Sequence, residues 1–131
     1  MDDIEQEIKK LKYKVKLLSS IVDYNQYPIE ALMLSLDWDD QDLDKAHDVF
    51  EKYSNKIENK ERIEWREFEN ELKEKFNIGY QTVKRVINAF YKNDQWTEVC
   101  YEYAKAFKCL EFHWLIEDYE ENLTRFSRGT R

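Results

Sequence analysis

An all-α, multihelical single domain of about six helices, ending in a long C-terminal helix, is what this chain of 131 residues predicts. Three observations carry that reading. Apolar residues recur at steps of four and three from Ile4 to Val22, and again from Trp96 to Phe126. Only two glycines and one proline interrupt the chain. No stretch of useful length alternates apolar and polar residues as a half-buried strand does.

The first helix is the stretch around which the chain is organised. Ile8, Val15 and Val22 occupy one heptad core position, and Ile4, Leu11 and Leu18 the other. Leu17 and Ile21 widen the stripe, as a helix joining a globular core does. Burial of Ile8, Leu11, Val15 and Leu18 is therefore expected. Lys9, Lys10, Lys12, Lys14 and Lys16 spread around the polar side of the same helix, with Glu5 and Glu7 nearby, and read as a solvated face. The helix ends in Asp23–Tyr27. Pro28 suits the first turn of a short second helix with Ile29, Leu32, Met33 and Leu36 on its apolar face.

The stretch from Asp37 to Asp42 reads as a cap and an acidic first turn, opening a helix lined by Leu43, Ala46, Phe50, Tyr53 and Ile57. Asp40, Asp42, Asp44 and Glu51 match positions 1, 3, 5 and 12 of a calcium loop. The sharp turn of such a loop needs glycine at position 6, where Lys45 stands, and the helical stripe runs through the segment, so no metal site is expected. After the charged stretch Glu58–Glu64, Trp65, Phe68, Leu72 and Phe76 mark the next helix. Asn77 or Gly79 can take the left-handed conformation that ends it. Val83, Val86, Ile87 and Phe90 line the helix that follows, before a break at Lys92–Asp94. From Gln95 to about Phe126 the pattern predicts one unbroken helix. It carries two registers offset near Leu110: one through Trp96, Cys100, Tyr103, Phe107, Leu110 and Trp114, the other through Phe112, Ile116, Tyr119, Leu123 and Phe126. The offset means either that the helix bends there or that its far half faces a different partner.

Composition and charge exclude several functions. A formal net charge of −7 argues against sequence-independent binding to nucleic acid or to an anionic membrane. The N-terminus lacks the apolar core of a secretory signal, and no run approaches the ~20 apolar residues of a membrane span. Cys100 and Cys109 fall on opposite faces of one predicted helix and cannot bridge each other, which fits reduced, cytoplasmic thiols. Cys109 and His113 lie one turn apart, but two ligands do not make a metal site. Two histidines support no catalytic constellation, and the carboxylates fall at helix starts and on polar faces. The expectation is a protein without enzymatic activity, cofactor or metal.

Several residues taken together resemble the YhaI-like family of small uncharacterised proteins from bacilli. They are Leu17-Leu18 in the opening helix, Ile21-Val22-Asp23 followed by Gln26-Tyr27-Pro28 and Ala31-Leu32, and the acidic start at Asp37–Asp44. Later come Phe68–Phe76, Thr82-Val83, and Ala89-Phe90-Tyr91 ahead of a final helix through Phe107. The resemblance implies an all-α, oligomeric protein and lends no catalytic residues. It divides the chain into a helical YhaI-like domain, 1–110, and a C-terminal helical extension, 111–131.

Two functional readings result. The first is a protein-binding module that self-associates, with a twofold dimer as the simplest assembly, in the manner of a phage or mobile-element accessory protein acting on a host protein. Its interface would be the second C-terminal register, Phe112, Ile116, Tyr119, Leu123 and Phe126, because aromatic residues supply most interface anchors. That register should project beyond a compact body of this size. The alternative is a helix-turn-helix DNA-binding regulator, in which Leu72–Phe76 leads through Asn77-Ile78-Gly79 to a recognition helix whose Tyr80, Gln81, Lys84 and Arg85 reach bases and phosphates. Lys73 stands where two such helices need a small residue.

Overall fold

The computed structural model describes the backbone of residues 2–129 and the side chains of residues 2–125. These residues form α1 (Asp2–Ile21), α2 (Pro28–Leu36), α3 (Asp40–Glu58), α4 (Trp65–Phe76), α5 (Tyr80–Lys92), α6 (Thr97–Phe107) and α7 (His113–Gly129). A single 3₁₀ turn, Leu110–Phe112, lies between α6 and α7. The all-α, multihelical architecture matches the sequence expectation.

The helix ends follow local chemistry. Asp39 caps α3 with a reciprocal pair: its carboxylate accepts from the Asp42 amide at 2.9 Å, and the Asp42 carboxylate accepts from the Asp39 amide at 3.0 Å. Asp40, Asp42, Asp44 and Glu51 thus lie along one helix. α2 and α4 end in left-handed residues, Asp37 (φ 57°) and Asn77 (φ 53°). In each case the next amide returns to the carbonyl three positions inside the helix, Trp38 to Met33 and Ile78 to Lys73. Asn77, whose short polar side chain tolerates this conformation, supplies the left-handed turn. Gly79 has φ −94° and needs no such freedom.

α5 is the central helix. It packs against α2, α4 and α6, and buries Val83, Val86, Ile87, Ala89, Phe90 and Tyr91. Its apolar residues fall at steps of three and four, so one stripe serves all three neighbours. Around it stands an aromatic core. Phe50 meets Phe90 and Phe68 at 4.7 and 5.3 Å between ring centroids, and Phe68 meets Tyr53 and Tyr103 at 4.9 and 5.5 Å. Several of these contacts are edge-to-face, the arrangement the ring quadrupoles prefer. Each such fully buried side chain contributes about 1.5–3 kcal/mol by leaving water.

The unbroken C-terminal helix expected from Gln95 to Phe126 does not form. Lys108 adopts a left-handed conformation (φ 49°), its amide bonds the Ala104 carbonyl at 2.9 Å, and α6 stops. The Phe112 amide then reaches the Cys109 carbonyl at 3.0 Å, closing the 3₁₀ turn and reversing the chain. α7 therefore folds back on α6 and does not project. The gain that offsets a left-handed lysine is visible: Phe112 and Leu115 enter the core, fully buried. At its other end α6 starts from Trp96, also left-handed (φ 51°). Its indole N–H donates to His47 Nδ1 at 2.9 Å, and its ring stacks on Phe50, which holds the strained backbone in place.

Candidate protein-binding surface

α1 combines an acidic start with an apolar seam. Asp2, Asp3 and Glu5 sit in its first turn, where carboxylates favour the positive end of the helix dipole. Its heptad seam then runs through Ile4, Ile8, Leu11, Val15 and Leu18. Yet none of its residues is buried. Ile4 is 64% exposed, Leu11 and Leu18 are each 58% exposed, and Ile8 and Val15 are close to half exposed. Leu17 and Ile21 are exposed as well.

The expected burial of Ile8, Leu11, Val15 and Leu18 is therefore corrected. The reason lies in the body. The core formed by α2–α7 closes around α5 without needing α1, whose main neighbour is the short α2. The link between them is tight. The Asp23 carboxylate accepts from the Asn25 amide at 2.9 Å, and Lys92 Nζ donates to Asn25 Oδ1 at 3.3 Å. The seam is flanked by charge: Glu5, Glu7, Lys12 and Lys14 occupy the positions beside the two core positions. A polar, charged rim thus borders an exposed apolar stripe.

The C-terminal interface residues are placed differently from expectation. Phe112 is fully buried and meets the Tyr103 ring at 5.8 Å, so it is spent on the chain's own core. Ile116 and Tyr119 are half-buried against that core. Tyr119 stacks on Tyr101 at 4.2 Å, and the Tyr101 hydroxyl donates to Glu120 Oε2 at 2.7 Å. Leu123 is half exposed, and the side chain of Phe126 lies outside the described residues. The register forms, but α6 covers its members Phe112 and Tyr119 through Tyr103 and Tyr101. Leu115, which sequence reasoning did not single out, is the buried member that turns α7 onto the body.

The four residues of the DNA-binding alternative share the start of α5 but are not free as a set. Lys84 donates to Glu111 at 3.2 Å, and Arg85 hydrogen-bonds the Ser35 hydroxyl. Tyr80 lies under Lys73 Nζ, 3.6 Å from its ring centroid, and Gln81 is exposed. α5 carries the core on its other faces, whereas a recognition helix must lay a free face in the major groove.

Elsewhere the buried polar side chains are paired within the chain, apart from Asn88 Oδ1, which is buried without a partner among the described residues. A cleft of about 380 Å³ lies between α5 and α7, lined by Tyr91, Trp114, Asp118, Asn122 and Leu123 among others. Across it the Tyr91 hydroxyl donates to Asp118 Oδ2 at 2.6 Å, and Asn122 Nδ2 donates to the same oxygen at 3.3 Å. Burial and this bond push the Tyr91 phenol well above its ordinary range. Within the core, the Tyr103 hydroxyl donates to Glu69 Oε2 at 2.6 Å, and burial followed by that bond raises the Tyr103 phenol strongly. Sequence spacing could not have paired these residues, which lie on separate helices. Among the described residues, no three His, Cys, Asp or Glu side chains converge to hold a metal. No described helix is long and apolar enough to cross a membrane.

A family model described as a protein of unknown function (DUF1878) matches residues 1–108, ending where α6 gives way to the 3₁₀ turn. No curated protein and no solved structure matches the chain.

Proposed function

The chain belongs to the DUF1878 family of proteins of unknown function, and we propose that it is a non-enzymatic, self-associating protein-binding module assembled through α1. The observation that carries this reading is the exposure of a regular heptad seam on a twenty-residue helix. An isolated helix of this length is marginal in water, and helices in proteins owe most of their stability to a covered apolar face. Among the described residues, nothing in the chain's own body covers this one.

The finer readings belong to the same proposal. A YhaI-like relationship is supported by the Val22-Asp23 and Tyr27-Pro28 segment. A cytoplasmic setting is supported by two free thiols, Cys100 and Cys109. Action on a partner protein, as a phage or mobile-element accessory acting on a host protein would have, suits an acidic body with a projecting helix. Binding to DNA is the weaker reading, because Lys84 and Arg85 are engaged within the chain.

Sedimentation equilibrium of the full-length chain and of Leu11→Glu/Leu18→Glu at micromolar concentration tests the proposal. The expected result is a dimer for the first and a monomer with an intact helical body for the second. A wild-type monomer, or a variant that keeps the oligomeric mass, overturns it. Salt-sensitive binding to random duplex DNA would move the reading to the regulator.

A further inference from the structure

We infer that α1 pairs with α1 of a second copy in an antiparallel two-stranded coil, in the register that sets Ile8 against Leu11; this rests on the self-association proposed above. The seam places β-branched Ile8 and Val15 at one core position and Ile4, Leu11 and Leu18 at the other, so an antiparallel pair sets one core position against the other in every layer. Composition alone leaves the orientation open. The charges beside the seam decide it.

α1 is divided in charge. Asp2, Asp3, Glu5 and Glu7 fill its first two turns, and Lys9, Lys10, Lys12, Lys14 and Lys16 follow. Four of these flank the seam, with Glu5 and Lys12 on one side and Glu7 and Lys14 on the other. Flanking charges of this kind set partner and orientation in coiled coils. In a parallel, in-register pair, Glu7 of each copy faces Lys12 of the other, Lys14 faces Ser19, and each basic block lies beside its own copy.

In the antiparallel register with Ile8 opposite Leu11, Ile4 falls opposite Val15, Glu5 opposite Lys12 and Glu7 opposite Lys14. Every one of these pairs occurs twice by symmetry, so all eight flanking charges meet an opposite sign. Sliding the antiparallel pair by one heptad sets Lys12 against Lys12 and Lys14 against Lys14, which is repulsive. The charge pattern therefore selects one orientation and one register. The fold accommodates it: both bodies attach at the C-terminal end of α1, so antiparallel pairing holds them at opposite ends of a rod about 30 Å long.

Disulfide cross-linking tests the register. In a Cys109→Ser background, where the remaining Cys100 is fully buried, Ile4→Cys and Val15→Cys are prepared separately, mixed and oxidised. Neither position belongs to the core of the body, so the body should fold in both variants. The expected result is a cross-linked dimer in the mixture, in large excess over either variant alone. Alone, like positions lie eleven residues apart along the rod, about 16 Å, beyond disulfide reach. Self-cross-linking of each variant overturns the antiparallel register and leaves association through α1 standing. Absence of cross-links in every sample, with dimeric mass retained, overturns both. Co-sedimentation of the wild-type chain with anionic phospholipid vesicles in place of dimer formation would overturn both as well, by making the lysine-flanked seam a membrane surface.

Discussion

Truncating Leu11 to alanine separates a core residue from an interface residue by energy alone. A fully buried leucine would cost the fold about 2–5 kcal/mol on this change. Leu11 is 58% exposed, so within one chain it rests against little. Unfolding of the monomeric body should lose less than about 0.5 kcal/mol, as surface substitutions do. Association should lose more. Covering the exposed part of a leucine contributes about 1 kcal/mol per copy, hence about 2 kcal/mol per dimer at full burial near 2 kcal/mol each. That is a weakening of the dimer dissociation constant of roughly 30-fold. The assay pairs denaturant melts at high dilution with sedimentation equilibrium over a range of concentrations. A loss of 2 kcal/mol or more in the dilute melts would refute the reasoning, because it would place Leu11 against its own body in solution.

Tyr103→Phe removes the hydroxyl that donates to buried Glu69, and should destabilise the fold by about 1–3 kcal/mol in denaturant melts, with helix content kept. Alkaline stability should fall between pH ~10 and 12. The hydrogen bond to Glu120, followed by burial, pushes Tyr101 up to about 12, so the folded state holds a proton that the unfolded chain releases near 10. The stability it contributes is complete below pH ~10 and is lost as pH rises through the folded value. Thermal melts across that range check it, and Glu120→Gln should move the phenol back toward its ordinary value by ultraviolet titration. A thiol reagent should label half-buried Cys109 in the native protein and leave Cys100 intact, because burial pushes the Cys100 thiol far up and its Sγ–H faces the Ile87 carbonyl. Mass spectrometry of the labelled peptides reads the outcome.

The fold was largely legible in the sequence because its helices carry regular apolar steps and tolerable ends. Pro28, the acidic stretch Asp37–Asp42 and the Asn77–Gly79 turn announced the boundaries of α2, α3 and α4. The register offset pointed to a bend near Leu110 as one of two alternatives, but a full break at Lys108 was not legible. Helices usually end at a glycine or an asparagine in the left-handed conformation. Here a lysine takes it, and only the tertiary burial of Phe112 and Leu115 makes that worthwhile. The candidate site shows a related limit. Periodicity identified the apolar faces of α1 and α7, but a stripe states only that it requires cover. Which elements supply the cover depends on where the chain reverses. Because it turns at Lys108, α7 finds its cover in α5 and α6, and α1 is the helix left bare. The links between Tyr103 and Glu69, Tyr91 and Asp118, and Trp96 and His47 join distant positions by three-dimensional proximity, which no local spacing encodes.

The proposed assembly requires that a second copy hold α1 as a helix. Amide hydrogen exchange of the full-length chain, measured at a series of protein concentrations, reads this residue by residue. Amides of α5 and α6, inside the closed core, should exchange slowly at every concentration. Those of residues 5–18 should be protected at high concentration and lose protection on dilution, as an uncovered helix of this length frays. Protection of α1 that stays unchanged across the dilution series would contradict the account.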